Sequence, residues 1–104
     1  MEQNNILSML SIAAKAKKVV SGEFMTEQAV KEGKAYLVVV AEDASENTKK
    51  MFRDKCAFYE TAIVFFGDKE SLGHSIGRRF RASLAVVDEG LAQALQKKLA
   101  LKNN

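Results

Sequence analysis

KAYLVVVAEDASENTKK, residues 34–50, is the stretch from which the fold can be read. YLVVVA (36–41) is short, β-branched and apolar on both faces, the pattern of a central strand covered by helices on either side. EDASEN then turns the chain, and Ser45 is a fit N-cap for a helix running to about Cys56. Towards the C-terminus, TAIVFF (61–66) reads as another buried strand, broken by Gly67 and Asp68. A short helix from about Lys69 to Ile76 follows, then a last strand in SLAVVD (83–88). A final amphipathic helix carries Leu91, Leu95 and Leu99 with lysines outside. Towards the N-terminus, Ile6, Leu7, Met9, Leu10, Ala13 and Ala14 recur at helical spacing over about Asn5 to Ala16. Lys15, Lys17 and Lys18 put positive charge at that helix's end, where it suits the macrodipole. Val19 and Val20 make a brief strand, Ser21 and Gly22 turn the chain into a second helix, and Gly33 closes it in the C′ role. Strands alternating with helices predict an α/β layer structure, a four-stranded sheet with helices on both faces.

At 104 residues the chain amounts to one domain, residues 1–104, with no repeat, linker or low-complexity segment. No apolar run approaches the ~20 residues of a membrane span. The opening MEQNNILSML lacks a basic segment followed by a long apolar one, so secretion is not expected and a cytoplasmic address is. Cys56 is the only cysteine, which excludes an internal disulfide and any multi-cysteine metal site. A net charge of +3 and a pI near 9.1 lean towards an anionic partner. Two clusters carry no intervening acid: Lys15, Lys17 and Lys18, and Arg78, Arg79 and Arg81 in IGRRFRAS.

Enzymatic chemistry finds no support. His74, in LGHSIG, reads as a solvated surface histidine, because no nucleophile accompanies it. Cys56, in DKCAFYE, reads as a half-buried, inert thiol with no base beside it. Neither a Walker pattern, a GxGxxG turn nor a metal-ligand spacing is present, so no cofactor, metal or small-molecule substrate is expected.

The second helix is more informative. If it buries Thr26, Ala29 and Val30, Phe24 faces the other way, about half a turn round the helical wheel. Phe24, Gln28 and Lys31 then form one outward stripe, able to stack on, hydrogen-bond and neutralise a nucleotide. The bland alternative packs Phe24 under the basic loop or against the first helix. Gly22 allows close approach, and the free N–H groups of the first turn attract phosphate. IGRRFRAS combines three arginines with Phe80 between a helix and a strand, a composition suited to forked phosphate contact and base stacking. Glu42 and Asp43 lie just beyond the carboxyl end of the central strand, where α/β sheets collect ligands. A turn or capping role for Asp43 and Ser45 is the competing explanation.

Taken in order, KKVVSGE, AVKEGKAYLVVVAEDASENTKK, LGHSIG and SLAVVDEG resemble the L-seven-Ae family of ribosomal and RNA-binding proteins, and most of all its small bacterial YlxQ-type members. The resemblance runs from about Leu10 to Ala94. It implies a three-layer α/β/α sandwich with a central mixed four-stranded sheet, and binding to kink-turn RNA. The family's second-helix motif (Gly, any residue, Asn, Glu, two of any kind, Lys) begins on Gly22 and Glu23. Phe24 stands where the Asn would be, Met25 where the Glu would be, and Gln28 where the Lys would be. The family's loop over an unstacked nucleotide falls on Arg79, Phe80, Arg81 and Ala82, and its second-strand loop on Asp43 to Ser45. Losing hydrogen bonds to guanine edges removes about 1–3 kcal/mol of discrimination each.

The expected function is therefore non-enzymatic binding of structured, kink-turn-type RNA by a monomer, with ribosomal RNA as one target. The expected mechanism has Lys18, Lys31, Arg78, Arg79 and Arg81 neutralising phosphates, the α-helical mouth with Phe24 meeting the groove, and Phe80 touching an unstacked base. The alternative is a protein-interaction module that uses Phe24, Met25 and Phe80 as an apolar patch.

Overall fold

The computed structural model describes residues 2–102. Its elements run α1 (Glu2–Lys15), β1 (Val19–Ser21), α2 (Glu23–Lys31), β2 (Leu37–Val40), α3 (Glu46–Phe58), β3 (Ile63–Phe65), α4 (Lys69–Ser75), β4 (Ser83–Val86) and α5 (Glu89–Lys102). The strands form one mixed sheet in the order β1-β4-β2-β3. β1 and β2 both run antiparallel to β4, and β2 pairs in parallel with β3. Helices α2 and α3 pack together on one face, while α1 packs with α4 and α5 on the other. The result is the expected three-layer α/β/α sandwich.

The two inner strands are buried at every position, Leu37 to Val40 and Ser83 to Val86. Both faces of such a strand meet apolar helix sides, which is why LVVV need not alternate with polar residues. Phe52 and Cys56 of α3, Val30 of α2, Ile6 and Leu10 of α1, and Leu95 of α5 complete the core around them. TAIVFF departs from expectation. β3 is an edge strand, and Ile63, Val64 and Phe65 are only half-buried. The Arg53 guanidinium lies 5.4 Å from the Phe65 ring centroid and covers part of this flank. An apolar run records that a strand has covered faces, not whether a neighbour lies on each side.

Helix ends are set by local chemistry. Gly33, at φ 72°, ends α2. Lys34 and Gly33 N–H groups bond back to the Ala29 and Val30 carbonyls, a Schellman closure that needs a left-handed residue. Ser45 Oγ accepts from the Thr48 N–H at 3.1 Å, so Ser45 caps α3 as expected.

No helix among the described residues is long and apolar enough to cross a membrane. Cys56 is more deeply buried than the sequence suggests, at 1% exposure, and burial pushes its thiol up to about 11. The neutral thiol is the form the fold favours. The stability this contributes is complete below the ordinary thiol value and is lost as pH rises through the folded value. Cys56 in the folded protein should therefore resist a thiol reagent such as dithionitrobenzoate at pH 8 and react fully once urea unfolds the chain. Rapid labelling without unfolding would contradict its burial.

Candidate nucleic-acid interface

Strand register decides which loops can meet. Ser21 pairs with Leu84, Val40 with Ser83, and Val40 also with Phe65. The carboxyl ends of β1, β2 and β3 therefore lie beside the amino end of β4. All four connections at this pole, 22, 41–45, 66–68 and 76–82, are neighbours. This is the end where α/β sheets gather ligands.

Gly22 opens α2 at φ 91° and ψ 160°, with no side chain capping the helix. Its own N–H donates to the Ser83 carbonyl at 3.0 Å. A glycine is required there because L side chains rarely adopt that φ. The first-turn N–H groups of Glu23, Phe24 and Met25 point outward beyond it. Thr26, Ala29 and Val30 are buried, as expected, and the buried Ser83 Oγ lies 3.4 Å from Thr26 Oγ1. These two hydroxyls satisfy each other and fasten the mouth of α2 over the start of β4. Phe24 is 72% exposed, which rules out packing under the basic loop or against α1. Met25 is 48% exposed and lines a groove with Arg78 and Arg81.

The arginine segment is held at several points. Arg78 N–H donates to the Gly73 carbonyl at 2.7 Å, and Arg81 N–H to the Lys69 carbonyl at 3.0 Å. Arg81 Nε donates to Ser21 Oγ at 3.0 Å and its Nη1 to the Phe80 carbonyl at 2.8 Å. Ala82 offers its carbonyl to the Ala41 N–H at 2.8 Å. Phe80 is 54% exposed, and the Arg79 guanidinium stands 5.8 Å from its ring centroid.

Asp43 caps a helix, but not the one its sequence position suggests. Its Oδ1 accepts from the N–H of Lys69, the first residue of α4, at 2.9 Å. The carboxylate thus joins the β2–α3 loop to α4 across 26 residues of sequence. Asp68 caps the same helix by accepting from the Ser71 N–H, and this bond holds its carboxyl below the ordinary carboxylate value. Whatever stability that bond lends is complete above the unfolded value and is lost as pH falls through the folded one.

Gly22, Glu23, Phe24, Met25, Asp43, Ser45 and the segment Arg78 to Ala82 thus share one pole. The other three expected contacts do not. Lys31 ends α2, roughly 12 Å along the axis from its mouth, and lies 3.9 Å from Glu27, which also pairs with Lys55 at 3.4 Å. Gln28 donates to Glu32 at 2.7 Å, pointing along the helix. Lys18 is exposed at the other end of β1, where its carbonyl accepts from Val87. The pole is of mixed charge: Glu23 and Glu42 are exposed beside the arginines.

Gly73 is the residue that the sequence reading passed over. A Cβ on it would lie 2.5 Å from the Arg79 carbonyl oxygen and 2.9 Å from the Phe80 nitrogen. The arginine segment rests against bare helix backbone, and only glycine leaves room. A glycine inside a helical pattern is the signal that could have found it. Among the described residues no group of His, Cys, Asp and Glu could hold a metal ion.

The chain belongs to the ribosomal protein L7Ae/L30e/S12e/Gadd45 family, whose sequence pattern matches residues 4–96. It is similar to the RNA-binding protein YlxQ of Bacillus subtilis, 40% identical over 87 residues that span 84% of this chain and 87% of that protein. The large ribosomal subunit protein eL30 of Methanoregula boonei is 37% identical over 89 residues, 83% of this chain and 88% of that protein. A solved Bacillus halodurans C protein of unknown function aligns with a TM-score of 0.88 and 34% identity, over 91% of this chain and 96% of that one.

Two substitutions test how the pole is built. Gly73→Ala should cost about 1–3 kcal/mol in urea unfolding through overpacking and shift the Arg79 and Phe80 amide resonances. Unchanged stability and spectra would show that the segment does not rest on α4. Asp43→Ala should destabilise by about 1–3 kcal/mol, whereas Asp43→Asn, which keeps an acceptor oxygen, should recover most of that loss.

Proposed function

We propose that this protein is a non-enzymatic RNA-binding protein that grips kink-turn-like structured RNA at the pole just described, acting as a monomer, with ribosomal RNA as one target. One observation carries the reading: Arg81 Nε on Ser21 Oγ at 3.0 Å brings the arginine segment against the glycine-led mouth of α2. Family membership, and relatives named as RNA-binding and ribosomal proteins, support it independently.

In this mechanism the outward N–H groups of Glu23, Phe24 and Met25 and the guanidinium groups of Arg78 and Arg79 hold phosphates where the RNA backbone bends. Arg81 spends one donor on Ser21 and one on Phe80, so its role is chiefly to aim the loop. Phe24 and Phe80 offer two exposed rings for stacking on bases. Neither Phe24 nor Met25 can hydrogen-bond a guanine edge, so selection rests on the bent shape of the RNA and on charge. Asp43 and Ser45 act by shaping the loop through Lys69 and α3. Lys18 and Lys31 lie away from the pole and add long-range attraction at most.

A second reading has one observation in its favour. Exposed Phe24, Met25 and Phe80 would also suit an apolar protein partner.

Salt and shape separate these outcomes. A labelled kink-turn duplex should bind more tightly than a straight duplex of equal length, and its affinity should fall steeply between low and physiological salt. Arg78→Ala with Arg79→Ala should weaken binding to both by on the order of tenfold to a hundredfold. Phe24→Ala should reduce the preference for the kink more than the total affinity. Equal affinity for both duplexes would refute kink recognition, and no salt dependence would favour the protein partner.

A further inference from the structure

β1 lies at the edge of the sheet, paired only with β4. In its antiparallel register Gly22 donates to Ser83 and Val87 to Lys18. Bonded and non-bonded pairs alternate along such a ladder, so Val20 is the third residue turned towards β4. Val19 and Ser21 point their N–H and C=O groups the other way. No hydrogen bond among the described residues satisfies these four groups.

A groove of about 390 Å³ is lined by the three successive residues Val19, Val20 and Ser21, together with Arg78 and Arg81. Neighbouring strand residues turn their side chains to opposite faces, so a groove touching all three follows the backbone edge itself. Ala14, Met25 and Ile76 supply apolar seats in its wall. A second groove of about 320 Å³ shares Ala14 and Ile76 with the first and adds Lys15 and His74. No carboxylate lines either groove. Edge strands are usually shielded by a charged side chain, a proline or a covering segment, and this one is instead set in a cationic trough.

We propose that this groove is a docking site for an extended acidic peptide segment of a partner protein, which adds to the sheet as a strand beside β1. An extended peptide alternates donors and acceptors at the spacing of Val19 and Ser21 and satisfies all four groups. Its alternate side chains enter the apolar seats, and its carboxylates meet the forked donors of Arg78 and the Nη2 side of Arg81, whose Nε and Nη1 are engaged by Ser21 and Phe80. A polynucleotide backbone suits the groove less well. Its phosphates only accept, so the Val19 and Ser21 carbonyls would depend on scattered ribose hydroxyls, and no Phe, Tyr or Trp ring lines the trough for base stacking. The inference stands apart from the RNA reading, although a peptide here would occupy Arg78 and exclude RNA from it.

The test uses the full chain and a capped eight-residue peptide alternating valine and glutamate, titrated by isothermal calorimetry and by amide hydrogen exchange. The Val19 and Ser21 amides should exchange fast in the free protein and slow down with peptide, while Val20, already in the ladder, stays unchanged. N-methylating alternate peptide residues, in two forms covering both registers, should lower affinity at least about tenfold in one of them. Val19→Pro removes an outward N–H without breaking a ladder bond and should weaken binding similarly. The proposal is overturned if the parent peptide does not bind or if both methylated forms bind as well as it does. It is equally overturned if oligouridylate protects the same two amides as strongly as the peptide.

Discussion

Lys69 is held from both sides of its backbone. Its N–H donates to the Asp43 carboxylate and its carbonyl accepts from the Arg81 N–H. Through this one residue the loop after β2, the start of α4 and the segment before β4 become a single unit. Arg81 extends the unit to β1 by reaching Ser21. Gly73 admits the same segment to the backbone of α4. Without these ties the arginines would sit on a free loop, and ordering them on a ligand would cost conformational entropy at the moment of binding. With them, the pole is shaped before any partner arrives.

What that pole presents follows from substitution of residue types within a preserved scaffold. Gly22 retains the conformation that turns the first amides of α2 outward, while Phe24 and Met25 place exposed apolar groups where the family's motif has Asn and Glu. In the proposed RNA reading, affinity rests on phosphate contacts and ring stacking, neither of which distinguishes sequences well. The acids at the pole are not all equivalent. Asp43 and Asp68 are committed to backbone N–H groups, whereas Glu23 and Glu42 are exposed and oppose an anionic ligand. The arginines must outweigh them.

The inner strands were legible because LVVV and SLAV carry their burial in their composition, and the helix ends because Ser45 and Gly33 act on residues a few positions away. β3 was read as buried and is half-buried, since an edge strand roofed by Arg53 has the same apolar run as a central one. In the site, Phe24 was legible from helical spacing alone. Asp43 was read just beyond the carboxyl end of the central strand, where it does lie, but its bond is to Lys69, a partner only the fold supplies. Lys18 and Lys31 show the reverse: charge and helical stripe recommended them, and strand direction and helix length put them away from this pole. Gly73 was visible as a letter, and its meaning depended on where the chain returns.

Mapping an RNA directly onto the protein tests the central claim. Amide and side-chain chemical shifts of the full chain, followed on addition of a kink-turn RNA, should change most at Gly22 to Met25, Asp43 to Ser45 and Arg78 to Ala82. The far ends of α2 and α3, including Lys31, Phe58 and Tyr59, should hardly move. Largest changes at that opposite pole, with the first set silent, would contradict the account.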